Sequence, residues 1–242
     1  MIVSEDWTTL RAGRTHGASG EFRGYLTNVI GTLAGSTGTP QAFLVEQDPN
    51  CTLRTHFHLQ HQFQVVVAGS GTLGRHALAP YTVHYTTPES GYGPIVSGAD
   101  GLSYYTIREK GGRGAHFLPE SRPEMRAGLA KAQATSRRAP AAAAEELARL
   151  GQQSMEALLE PDASGRAAWV LCMPPGAGVA LPAPMAHGGR FALVCEGTLV
   201  TGGRVLEHLG MAHLAPHEAQ WDGKAGAGGL QLLVVQFPVN VN

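Results

Sequence analysis

The sequence predicts an all-β protein in which one strand-rich unit, a small sandwich or barrel, occurs twice, joined by an Ala-rich helical linker. Three observations carry this. Gly 32 and Pro 15 make up roughly a fifth of the 242 residues, a share that suits short strands and tight turns better than long helices. Apolar runs of strand length recur about every ten residues, with Gly, Pro or Asp between them. A segment of the first half also reappears, without a gap, 128 residues later.

The strands of the two copies follow from that offset. Gln62-Phe63-Gln64-Val65-Val66-Val67-Ala68-Gly69 lines up with Arg190-Phe191-Ala192-Leu193-Val194-Cys195-Glu196-Gly197. Downstream, Gly74 falls on Gly202, Leu78 on Leu206, Pro88 on Pro216, and Gly101-Leu102 on Gly229-Leu230. The shared positions are glycines, a proline and apolar residues, which set turns and core contacts rather than chemistry. The period is too long for a solenoid and fits a duplicated domain. Ala42–Val45 and Ala168–Leu171 read as buried strands, one in each copy. Between the copies the chain becomes Ala-rich. Pro140 suits a first helical position there, and Glu145 sits four before Arg149 on one helix face. The expected organisation is a first copy over 1–115, a helical linker over 116–152 and a second copy over 153–242.

Composition removes several function classes. Apolar residues are 43% and charged residues 15%, and Lys+Arg 18 against Asp+Glu 19 leaves a net charge of −1. Such a balance supplies no drive toward nucleic acid or an anionic membrane. Cys51, Cys172 and Cys195 are odd in number and far apart, neither a disulfide framework nor a zinc spacing. Together with the acidic start Ser4-Glu5-Asp6, they lead us to expect a cytoplasmic protein. The uncharged run from Ala167 to Gly189 holds Pro174, Pro175, Pro182 and Pro184, which make it a poor membrane helix. Gly69-Ser70-Gly71-Thr72-Leu73-Gly74 matches the dinucleotide fingerprint in spacing, but Pro80 leaves no room for the helix that fingerprint requires. A hairpin turn explains it better.

The chemistry concentrates in Thr55-His56-Phe57-His58. Two imidazoles two apart on a strand point to one face. Gln62 follows after three residues and Gly69 after six more. This His-x-His-x3-Gln-x6-Gly spacing resembles the first signature motif of the cupin superfamily, where the position of Gln62 is usually Glu. The second cupin motif ordinarily runs Pro-Gly-Asp, a strand, Pro and a third histidine. Over Leu78–Pro94 the prolines match, Tyr81-Thr82 replaces Gly-Asp, and Tyr92 stands at the third histidine. With the duplication, the resemblance is to a bicupin: two double-stranded β-helix (jelly-roll) barrels in one chain.

The resemblance implies a divalent transition metal (iron, zinc, nickel or manganese) held by His56, His58 and Gln62. His84 and His76 lie on the next predicted strands, and either of them or Tyr92 could complete the set; His84 is taken with the other three. Gln62 keeps a carbonyl oxygen but lacks the negative charge of Glu, which weakens divalent binding. In the second copy the counterparts of His56, His58 and Gln62 are Pro184, Ala186 and Arg190, so no ligand survives there. That copy is structural or an anion pocket. Arg54, two before His56, shares its predicted inward face and either holds a substrate carboxylate or meets solvent. Gln64 and Tyr92 are further candidates for contact with a substrate.

Two functions follow. One is a metal-dependent enzyme acting on a small organic acid or enol, of dioxygenase type if the metal is iron with open positions. The other is a binding module in which His56, His58, Gln62, Gln64 and Tyr92 hold a small molecule without turnover. A homodimer through barrel edges is expected in either case.

Overall fold

The computed structural model describes residues 1–19, 22–32, 38–112, 114–182, 186–216, 218 and 221–239. The chain divides into two compact units. One runs from Leu10 to Arg138, and the other combines Met1–Thr9 with the chain from Ala139 onward. The first nine residues, expected in the N-terminal domain, therefore belong to the C-terminal unit. Ile2–Val3 pairs there with Met211–Leu214, setting Ile2 opposite His213. No helix among the described residues is long and apolar enough to cross a membrane.

The sheet of the first unit is antiparallel. In order across the sheet its strands are Gln133–Thr135, Val83–Thr86, Gln62–Leu73, Ile95–Arg108, Gln41–Gln47, Phe22–Ile30 and Thr15–Ser19. Two short strands, His76–Leu78 and Thr52–Leu53, pair onto Gln62–Leu73 and Ile95–Arg108. His56–Phe57 leaves this sheet and pairs with His116–Phe117. In the second unit the order is Ile2–Val3, Met211–Leu214, Arg190–Thr201, Lys224–Gln236, Ala167–Met173 and Ser154–Leu159, with Arg204–Leu206 on Arg190–Thr201. The two end strands of each order do not pair with one another among the described residues.

The repeat of the sequence is a repeat of strands. Gln62–Leu73, His76–Leu78 and Val83–Thr86 become Arg190–Thr201, Arg204–Leu206 and Met211–Leu214, each 128 residues on. The bulge geometry repeats too. Gly69 has φ +74° and Gly197 φ +76°. A Cβ on either would run into a carbonyl, that of Gly101 or Gly229 respectively, so the long strands touch backbone to backbone at both places. The Gly69–Gly74 segment is this strand and its hairpin, not a phosphate loop.

Residues 116–152 depart from the expected helical linker. They contain a 3-10 turn at Arg122–Glu124, a helix of only four residues at Ala144–Leu147, and two strands. Gln133–Thr135 pairs with Val83–Thr86, whose outer edge would otherwise be open. Unpaired backbone groups on that edge outweigh the helix propensity of the alanines around it.

The core of the first unit gathers Phe22, Phe43, Val45, Val66, Leu73, Ile95 and Leu102. In the second unit Trp169, Leu171, Val194, Leu230, Leu232 and Val234 fill the interior. The copies differ in what the alternating inward positions carry. Gln64, Tyr104 and Thr106 have as counterparts Ala192, Leu232 and Val234, all buried in that apolar core. Polar lining is thus confined to the first copy at these positions.

Candidate functional site

The first unit holds an open cavity of about 280 Å³. Alternation places its walls. Tyr104, Thr106 and Arg108 face inward from one strand, Phe43 and Val45 from its neighbour, and Gln64 from Gln62–Leu73. His56, His58 and Tyr92 form one side, Gly112 and Gly114 lie near the polar end, and Phe22, Leu26 and Leu53 make the rest apolar.

The polar end is a connected chain of hydrogen bonds. Nδ1 of His56 lies 2.7 Å from the Arg54 carbonyl, so this nitrogen carries the proton and Nε2 keeps its lone pair. The Tyr92 hydroxyl, 2.9 Å away, donates to that lone pair and accepts from Nε2 of Gln62 at 2.7 Å. Oε1 of Gln62 in turn accepts from Nε and Nη2 of Arg108 at 2.9 and 2.7 Å. Nη1 of Arg108 donates to Oε1 of Gln41 at 3.2 Å and to the Gly112 carbonyl at 3.1 Å. His58 donates from Nδ1 to the Gly114 carbonyl at 2.6 Å, leaving Nε2 as an acceptor. The His56 and His58 rings meet edge to face with centroids 5.2 Å apart.

The electrostatics are equally specific. Burial holds His56 at about 4; the bond to Arg54 opposes this and the Arg108 charge adds to it. Burial likewise drives His58 well below its ordinary value, with the Arg108 and His56 charges adding. Both rings are neutral at physiological pH. Burial raises the Tyr92 phenol to about 12, so it stays protonated. Arg108 is only 2% exposed, and burial lowers it to about 10, which leaves it charged at neutral pH. Among the described residues every hydrogen-bond partner of that buried cation is a neutral carbonyl or amide oxygen, and the Phe43 ring centroid lies 5.7 Å from it. No carboxylate among the described residues lines the cavity.

The structure separates the remaining candidates. Arg54 does not face the cavity. Its side chain is 44% exposed, paired with Glu120 at 2.7 Å and bonded to the Leu118 carbonyl. The expected inward alternation fails because the chain bends at Thr55, between the strands Thr52–Leu53 and His56–Phe57. His84 is buried but does not line the cavity. Its Nδ1 lies 2.9 Å from the Thr135 hydroxyl, its Nε2 is buried without a hydrogen-bond partner among the described residues, and with Gln64 it lines a separate void of about 10 Å³. Its ring packs against Tyr92 with centroids 5.5 Å apart, so Tyr92 is in contact with His56 and His84 alike. Pro184, aligned with His56, lies outside the described residues. Arg190 donates to Oε1 of Gln236 at 2.7 Å and to the Pro182 carbonyl at 3.1 Å.

No protein-family model matches the sequence, and no curated protein matches it. Solved structures do. A dioxygenase candidate from Nostoc punctiforme matches with a TM-score of 0.63 at 12% identity, covering 98% of this chain and 83% of that one. The pirin YhhW of Escherichia coli, in complex with nickel(II), matches at 0.60 and 10%, over 98% of each chain. A cupin 2 conserved barrel domain protein from Leptotrichia buccalis matches at 0.50 and 13%, again over 98% of each.

The chain has the cupin fold.

On this cupin fold the residues present do not suit a divalent cation. Gln62 turns its oxygen to Arg108, Tyr92 occupies the free nitrogen of His56, and the polar end already carries one uncompensated positive charge. A metal ion here would add charge to charge with no carboxylate to offset it. No group of three or more His, Cys, Asp or Glu among the described residues is arranged to hold a metal. Arg108 escaped the sequence reading altogether. Its signal lay in the alternation Tyr104-x-Thr106-x-Arg108 and in the offset of 128, which sets Arg108 on Gln236 just as it sets Gln62 on Arg190.

Proposed function

We propose that this chain is a bicupin whose N-terminal copy binds a small organic molecule in its cavity without a metal ion and without turnover, while the degenerate C-terminal copy is structural. The observation that carries this reading is the hydrogen-bonded chain His56–Tyr92–Gln62–Arg108, which satisfies two of the would-be ligands, His56 and Gln62, from within the protein. A mostly apolar cavity with a few convergent polar groups is what a small-molecule site requires. The three cysteines, all free, fit the cytoplasm as its place, and exposed strand edges fit a homodimer.

Elemental analysis tests the reading. Protein offered nickel, manganese, iron(II) or zinc and then desalted should keep less than about a tenth of an equivalent. One observation favours a second reading, a metal-dependent enzyme of dioxygenase type. His56 and His58 present neutral, neighbouring imidazoles to the same cavity. Retention of about one equivalent of metal would favour that reading and overturn the first.

A further inference from the structure

We infer that the cavity of the first unit takes a monocarboxylate with a compact apolar body, its carboxylate set against Arg108. This deepens the metal-free reading above and rests on it. Three observations lead there independently of the cupin resemblance.

The first is charge. A buried guanidinium whose hydrogen-bond partners among the described residues are all neutral oxygens lacks the anion that normally accompanies it, because burying an unpaired charge is costly. Folding places the cation there; a ligand can supply the counterion. The second is the count of donors. Arg108 has five N–H groups, of which Nε, both on Nη1 and one on Nη2 are used by Gln62, Gln41 and the Gly112 carbonyl. One N–H on Nη2 is left. The Tyr104 and Thr106 hydroxyls, on the same inward face, have no side-chain partner among the described residues. One charge and a few donors match one carboxylate, whereas a phosphate dianion needs more of both.

The third is the rest of the wall. Beyond the Phe43 ring, whose centroid lies 5.7 Å from the Arg108 guanidinium, the cavity wall runs through Phe22, Leu26, Val45 and Leu53, which would leave a second carboxylate unpaired. Its volume of about 280 Å³ equals about nine waters at roughly 30 Å³ each, enough for a benzene ring or a short branched chain with its carboxylate.

Isothermal titration of the full chain with benzoate, benzamide and succinate tests the inference. Benzoate should bind about 10- to 100-fold more tightly than benzamide, the same shape without the charge. Succinate should bind more weakly than benzoate. Arg108→Gln should abolish the preference for benzoate over benzamide, and Arg108→Lys should keep it at reduced affinity. The comparison of acid with amide uses the unmodified protein, so it stands even if a variant fails to fold. Equal binding of benzoate and benzamide, tighter binding of succinate, or no binding of benzoate would overturn the carboxylate assignment. None of these outcomes touches the metal analysis, whose failure alone sinks the reading beneath it.

Discussion

Arg108 holds the side-chain oxygen of Gln62 with two hydrogen bonds, at 2.9 and 2.7 Å, across neighbouring strands of the first unit. At the same two places in the second unit stand Arg190 and Gln236, and there the arginine comes from the other strand, its Nε 2.7 Å from the glutamine oxygen. The pair survives in both copies with its members exchanged. What differs is the surroundings. Arg108 borders an open cavity, whereas the second copy carries Ala192, Leu232 and Val234 where the first has Gln64, Tyr104 and Thr106.

Gln62→Glu converts that pair in the first unit from amide and cation into an ion pair. The new carboxylate neutralises Arg108 from within, so the cavity loses its demand for an anion. Benzoate affinity, read by titration calorimetry, should fall about tenfold or more. Unchanged benzoate binding would mean that Arg108 is not the group the ligand meets.

Tyr92→Phe removes the hydroxyl that joins His56 to Gln62. Two buried groups, Nε2 of His56 and Nε2 of Gln62, then lose their protein partner. The expected cost is about 1–3 kcal/mol of stability, measured as a lower urea midpoint at unchanged slope. The change also releases the His56 lone pair beside His58, so nickel(II) should bind the variant more tightly than the parent.

Much of the fold was legible because glycines, prolines and apolar runs keep their spacing wherever backbones must turn or touch. The offset of 128 found Gly69 and Gly197, and both prove to sit where a Cβ has no room. His56 and His58 were found because two imidazoles on one pleat are rare. Arg108 was missed because it stands 46 residues from Gln62, and no local pattern links a residue at one strand's start to the end of its neighbour. Arg54 was placed inward by an alternation that a bend at Thr55 interrupts. Helix propensity misled at Gln133–Thr135, where an open sheet edge decides the structure.

Acid should weaken the protein well before its carboxylates protonate. His56 and His84 are buried and neutral, each held at about 4, while the unfolded chain protonates at about 6.5. Depressed folded values mean that the unfolded state binds more protons. The stability these groups contribute is therefore complete above about pH 6.5 and is lost as the pH falls from there toward about 4. Each histidine accounts for about 3 kcal/mol at most over that window. Urea midpoints taken from pH 7.5 down to 4.5 should decline through it, and His84→Asn should make the decline shallower. An identical decline in that variant would show that His84 does not resist protonation in the folded state.

The two copies also make a paired prediction about backbone contact. Gly69 and Gly197 both adopt positive φ, and a Cβ on either would collide with a facing glycine carbonyl. Gly69→Ala and Gly197→Ala should each destabilise by more than the roughly 1 kcal/mol typical of a point substitution, because an unfavourable φ and a steric clash add. The two should nevertheless differ in one readout. Gly69 lies on the strand that carries Gln62 and Gln64, so its displacement should disturb the cavity, and benzoate affinity should fall with stability. Gly197 lies on the strand of Arg190, in the unit whose interior is apolar, so its substitution should lower the urea midpoint and leave benzoate affinity unchanged. Equal loss of binding in both variants would show that the second copy contributes to the ligand site, and the division of labour between the copies would have to be redrawn.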